Sequence, residues 1–232
     1  MKIKVIYTFL LVLFISTVVC SKTEKSGSKA DLSSDKGKYS YVIGYNTGSN
    51  LKRDNVELDM ESFIAAIEDA FNDIDSRLSP EEAQTAMQNL MTSLQKKRKD
   101  LAAENKKNGE EFLKKNKTKE GVLTTSSGLQ YKVISKGDSV IKPKSSDMVK
   151  VHYTGKLIDG KEFDSSYKRN EPATFKLDGV IKGWIEGLQL MTVGSKYEFF
   201  IPSGLAYGEN GNQAIPGNSV LIFEVELLEI VK

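Results

Sequence analysis

Apolar residues recur along this chain with two different periods, and the change of period divides it. From Val5 to Val19 fifteen residues carry no charge and are mostly aliphatic or aromatic, behind the short basic start Met1-Lys2-Ile3-Lys4. This is the pattern of a signal peptide over residues 1–20, and the run falls short of the roughly 20 apolar residues that a spanning helix needs. Residues 21–38 are rich in Ser, Lys, Gly, Asp and Thr and offer almost nothing to bury, so they read as a flexible tether. Helical spacing begins at Tyr39. Short helices are expected at 39–53 and 59–73, the second carrying the stripe Met60, Phe63, Ile64, Ile67, Ala70 and Phe71, with Asp59 as its cap.

Ser79-Pro80-Glu81-Glu82 is a stronger start signal, with Ser at the N-cap, Pro at the first helical position and Glu at the third. No Pro or Gly follows until Gly109, so one helix is expected from Pro80 to about Lys115. At 1.5 Å per residue it measures about 50 Å, too long for a small domain to cover, and it is expected to project. Met87, Leu94 and Leu101 repeat at sevens, with Ala83, Leu90 and Met91 on the same face. The stripe reads either as intramolecular core or as a subunit interface. The short helices beside it bury little alone, which favours a homodimer built from residues 39–118.

Near Gly121 the period becomes two. Leu129–Val133 and Val149–Tyr153 alternate, Asp159-Gly160 makes a turn between Lys156–Ile158 and Lys161–Phe163, and further strands are expected at Tyr197–Ile201 and Val220–Leu228. One short helix is expected between them, near Lys182 to Leu190. The fold class is therefore α+β: an all-α segment with one long helix, then an antiparallel sheet wrapping one short helix over residues 119–232.

Composition narrows the chemistry. The 232 residues include 33 basic and 31 acidic side chains, for a formal charge of +2, and no long single-sign tract supplies a nucleic-acid footprint. One His and one Cys cannot build a zinc site of the usual ligands or a disulfide framework. No phosphate-binding, dinucleotide, metalloprotease or nucleophile-elbow motif is present. The chemistry expected is one without metal, cofactor or covalent nucleophile. Cys20 sits directly after the apolar run, where bacterial lipoproteins carry their acylated thiol, although Thr17-Val18-Val19 departs from the usual residues before such a cysteine. Lipidation of Cys20 and a chance cysteine in an ordinary signal peptide both stay open.

Six ordered motifs within this β-rich segment of about 110 residues then carry a family resemblance. They are Val151-His152-Tyr153-Thr154-Gly155, Asp159–Ser166, Val180-Ile181-Lys182-Gly183-Trp184, Ala206-Tyr207-Gly208, Ile215-Pro216 and Leu221–Leu228. The carboxy-terminal half resembles the FKBP-type peptidyl-prolyl cis-trans isomerases. The organisation before it is similar to their exported bacterial subgroup, typified by the macrophage infectivity potentiator, whose amino-terminal helices dimerise. The resemblance implies a curved sheet and a shallow apolar pocket with Trp184 as its floor. It maps Asp164, Tyr207, Phe163 and Trp184 onto catalytic positions and Tyr153, Val180, Ile181, Ile215 and Phe223 onto substrate-binding positions. Ala173 falls near a position where some relatives carry a pocket Phe, so one wall is expected to be more open. His152, next to Tyr153 on a strand, is expected to point to the opposite face in a structural role.

By this resemblance the chain accelerates folding of exported or envelope proteins. It would act on proline-containing peptides and unfolded segments, in the periplasm or at the outer membrane, with lipid on Cys20 as a membrane attachment. The alternatives are a holdase-type chaperone without useful catalysis and a surface-exposed binding or virulence protein.

Overall fold

The computed structural model describes residues 30–231, so the leader, Cys20 and residues 21–29 of the expected tether lie outside the described residues. Helix α1 runs Asp35–Arg53 and begins four residues earlier than Tyr39, where the apolar pattern starts. A cap sets that boundary. Ser34 accepts the Gly37 N–H at 3.0 Å, Asp35 occupies the first turn, and Lys52 and Arg53 occupy the last, each sign suiting its end of the helix dipole. No α1 residue is buried, and Tyr41 stacks on Tyr45 at 6.1 Å along its surface.

Among the described residues two compact units divide at Met60, with α1 in the first and all later elements in the second. Helix α2, Met60–Phe71, ends two residues before the expected 73, and Asp73 takes a left-handed φ of 53°. Arg77 closes back on Asp69 with two hydrogen bonds of 2.6 and 2.8 Å. Helix α3 runs Pro80–Asn116 with the reciprocal capping box in place. The Glu82 N–H donates to Ser79 Oγ at 3.2 Å, and the Ser79 N–H donates to the Glu82 carboxylate at 2.8 Å. Its 37 residues make a rod of about 55 Å.

Seven antiparallel strands follow: β1 Val122–Thr124, β2 Gln130–Ser135, β3 Met148–Leu157, β4 Glu162–Ser165, β5 Ala173–Lys176, β6 Lys196–Ile201 and β7 Leu221–Val231. Their order is β1-β2-β6-β7-β3-β4, with β5 pairing the first half of β3 on the edge that β4 continues. Strict alternation puts Val149, Val151 and Tyr153 of β3 and Leu221, Phe223, Val225 and Leu227 of β7 on one buried face. Helix α4, Lys182–Leu188, ends two residues before the expected Leu190 and adds buried Trp184 and Leu188 to the same core.

The last turns of α3 are packed against this sheet. Phe112 meets Phe200 at 6.0 Å. Asn116, fully buried, donates to the Gln130 side-chain oxygen at 3.0 Å, and the Gln130 amide donates to the Leu113 carbonyl at 2.9 Å. A border at 119 therefore falls beyond contacts that belong to the sheet's own packing. Alternation in sequence marks where strands begin, whereas the helical residues that cover them keep a helical period.

Candidate functional site

Aromatic side chains from four strands and α4 converge at one end of the core. Tyr153 is tilted to both Phe175 and Phe223, and the three surround the Trp184 indole. Their ring centroids lie 5.2, 5.5 and 5.2 Å from it, at interplanar angles of 88°, 89° and 78°. Such edge-to-face contacts place positive ring edges on a negative ring face, which holds the set without a sandwich. Phe163 of β4 joins through Phe223 at 5.4 Å and 84°. Gly155 of β3 makes room for both: a Cβ there would lie 2.6 Å from the Phe223 ring and 2.7 Å from that of Phe163. Trp184 is 4% exposed, and its buried indole nitrogen has no hydrogen-bond partner among the described residues.

Val180 and Ile181 lead into α4 and pack half-buried against the core, while Ile215 is buried within it. The Ile181 carbonyl accepts the Trp184 and Ile185 N–H groups, and its own N–H donates to nothing among the described residues. Tyr207 stands apart from the ring contacts. It is 40% exposed, on the loop after β6, and its hydroxyl has no protein partner among the described residues.

Polar groups at the rim form a closed triangle. The Tyr153 hydroxyl donates to Asp164 Oδ2 at 2.5 Å, Arg169 Nη1 donates to Asp164 Oδ1 at 2.5 Å, and Arg169 Nη2 donates to the Tyr153 oxygen at 3.0 Å. Burial works against the Asp164 charge, but the bonds from Tyr153 and Arg169 outweigh it and hold the carboxyl below its usual range. Burial, reinforced by the bond to Asp164, pushes the Tyr153 phenol up. Asp164 raises the Arg169 guanidinium further, with Tyr153 adding to it. At neutral pH the triangle is a phenol, a carboxylate and a guanidinium.

Two of these residues, Arg169 and Phe175, lie outside the sequence motifs. Arg169 lies in a polar loop with no local signal beyond its charge. Phe175 sits on β5 opposite Val149, two residues past Ala173, and its ring packs against Tyr153 and Trp184. His152 lies across the sheet from the rings, with Nδ1 3.0 Å from Ser166 Oγ and its ring stacked on Tyr167 at 4.6 Å. A separate groove of about 330 Å³ lies behind the Tyr207 loop, between Lys106, Glu110 and Leu113 of α3 and Ser203, Glu209 and Val220.

Comparison with known proteins decides the family. Residues 139–228 match the family described as FKBP-type peptidyl-prolyl cis-trans isomerase, and residues 36–133 match the domain described as amino terminal to it. The isomerase FkpA of Aeromonas hydrophila is 43% identical over 94% of this chain and 91% of its own length. The chain belongs to the FKBP-type peptidyl-prolyl cis-trans isomerases.

The outer membrane protein MIP of Legionella longbeachae is 38% identical over 100% of this chain and 99% of its own. The crystal structure of FkpA from Escherichia coli superposes with a TM-score of 0.63 at 42% identity, covering 85% of this chain and 97% of that one. As an FKBP-type isomerase the chain is an enzyme that interconverts the cis and trans forms of X–Pro bonds, and proline-containing peptides are its substrates. A non-catalytic holdase is not the favoured reading. The relative named as an outer membrane protein aligns through the leader region as well, and export of this chain is supported with it.

Proposed function

We propose that the rings around Trp184 are the proline-binding pocket of this isomerase. Trp184 forms the floor, and Tyr153, Phe163, Phe175, Val180, Ile181, Ile215 and Phe223 form the walls. The observation that carries the reading is the convergence of five aromatic rings beside one ionised, fully bonded polar triangle. Uncatalysed X–Pro rotation breaks amide resonance against a barrier of about 18–20 kcal/mol. No bond is made or broken, so a thousandfold acceleration needs only about 4 kcal/mol of preferential binding to the twisted amide. The twisted amide has lost charge separation, and an apolar box that strips water from the planar dipole favours it. The Ile181 N–H and the Tyr207 hydroxyl, both without a partner among the described residues, are suited to bind substrate carbonyls. Asp164 holds the polar edge by fixing the Tyr153 ring, rather than by offering a vacant oxygen to substrate.

A protease-coupled assay on a short proline peptide tests the reading. Tyr207→Phe is expected to lower kcat/KM several-fold, while Tyr167→Phe on the opposite sheet face leaves it unchanged; equal rates for both would remove the pocket.

We infer also that the mature chain is a homodimer held through its amino-terminal helices and anchored by lipid on Cys20. Large apolar side chains are exposed on each of these helices: Tyr45 of α1, Ile67 and Phe71 of α2, Met87 and Met91 of α3. A helix such as α1, with nothing buried, lacks the tertiary packing that stabilises helices in proteins. A second copy offers the same unfilled faces. Two pockets on one dimer gain avidity for an unfolded chain that spans both. Lipidation rests on the lone thiol at the end of the apolar run.

A further inference from the structure

The loop that carries Tyr207 and Ile215 is fastened to α3 by two hydrogen bonds that run in opposite directions. Asn105 of α3 donates its side-chain amide to the Gly217 carbonyl at 3.0 Å. Asn218 of the loop donates its own to the Ala102 carbonyl at 3.1 Å. Both span more than a hundred residues of sequence, 112 and 116, so neither follows from local chain geometry. Each links an amide on one element to a backbone oxygen on the other.

The loop side of this clasp reaches directly to Tyr207. The Asn218 N–H donates to the Gly208 carbonyl at 2.8 Å, and the Gly211 N–H donates to the Tyr207 carbonyl at 3.2 Å. Asn212 closes the other half, with its carboxamide oxygen accepting the Ala214 and Ile215 N–H groups at 2.8 Å each. Asn218 holds a left-handed φ of 57°, which keeps its side chain aimed at the helix while its N–H faces the loop. At Gly217 the elements nearly touch: a Cβ there would lie 3.2 Å from the Ala102 methyl and 2.0 Å from the Glu209 carbonyl oxygen. Only glycine lets the loop fold on itself and press against α3 at one point.

We propose that Asn105 and Asn218 are positioning residues, a clasp through which helix α3 sets the Tyr207–Ile215 wall of the proline pocket. The helix is then part of the catalytic apparatus as well as the connection to the amino-terminal helices. Neither asparagine touches substrate. They act by keeping the Tyr207 hydroxyl and the Ile215 side chain where a bound peptide meets them. The inference rests on the assignment of Tyr207 and Ile215 to the pocket.

The test uses the full chain with Asn105→Ala and Asn218→Gly, which open the clasp from opposite sides. Glycine at 218 keeps the positive φ accessible and removes only the side-chain bond. Asn108→Ala, an exposed change on the same helix, is the control. Two readouts are taken together: amide hydrogen exchange and peptide turnover. Exchange at Gly208, Gly211, Asn212 and Ile215 is expected to quicken in both clasp variants, with β3 and the Asn108 control unchanged. KM for a short proline peptide is expected to rise about three- to tenfold with little change in kcat, because the wall contacts the peptide in ground and transition states alike. The double variant should be little worse than the stronger single one, since either change opens the same clasp. Unchanged exchange in both variants overturns the clasp. Faster exchange with unaltered KM overturns its positioning role. If Tyr207→Ala retains full activity, the pocket assignment fails instead, and the exchange data still decide whether the clasp exists.

Discussion

Both Asp164 oxygens are already engaged, one by Tyr153 and one by Arg169, so its ionisation matters through the triangle it holds. The folded-state pKa lies below the ordinary one; the stabilising contribution is therefore complete above the unfolded value of about 3.9 and is lost as pH falls through the folded value. Turnover should show no Asp164 titration between pH 5 and 8. In urea melts, the stability gap between the parent and Asp164→Asn should narrow as pH is lowered from 5 to 3; a gap that widens would reverse the assignment. Trp184 demands a different expectation. Because it is 4% exposed and braced by three rings, Trp184→Ala should cost about 3–5 kcal/mol of stability along with activity. Tyr207→Phe, at an exposed hydroxyl without a partner among the described residues, should lower activity while leaving the thermal midpoint within about 1 °C of the parent, as surface substitutions usually do. Melting curves run beside the peptide assay separate the two cases. Tyr153, Phe163, Trp184 and Phe223 were readable because their motifs are contiguous in sequence. Arg169 and Phe175 were not, because what identifies them is a contact across strands.

Among the elements, the capping box of α3 was legible to the residue, since Ser79, Pro80 and Glu82 act within one turn. The start of α1 was missed by four residues because its cap, Ser34, stands in a polar stretch where apolar periodicity is silent. The carboxy-terminal turns of α3 pose the sharper case. Their sequence is mostly Lys, Glu and Asn, yet Asn116 is fully buried and holds Gln130. A chain beginning near Lys119 should leave Gln130 short of both partners and uncover Phe200, and each unsatisfied buried group costs about 1–3 kcal/mol. A chain beginning near Asp100 keeps these contacts and both sides of the Asn105–Asn218 clasp. Denaturant melts of the two should place the shorter one clearly below the longer. Equal midpoints would show that α3 adds nothing to the sheet.

For the whole molecule, the exposed apolar faces of the amino-terminal helices predict a dimer by light scattering. Phe71, 86% exposed, should convert it to monomer when changed to Glu, with short-peptide turnover preserved and proline-limited refolding of a long chain slowed. A monomeric parent would refute the dimer. Labelling with a clickable fatty acid in the native host should mark the parent and spare Cys20→Ser; no label on the parent would mean an unmodified cysteine. The sequence alone determined the two periods, the order of the helices and of strands β2, β3, β4, β6 and β7, the long capped helix and the aromatic residues of the family motifs; β1 and β5 emerged only in the fold. Each of these depends on neighbours within a few positions, where spacing and side-chain type carry the physics. Tertiary structure decided what depends on distant segments meeting. Arg169 closes the triangle with Tyr153 and Asp164, Phe175 packs edge-to-face on Trp184, and Asn105 and Asn218 join α3 to the Tyr207 loop across more than a hundred residues. A hydrogen bond or ring contact between remote segments has no period, and only the folded chain brings its two halves within reach.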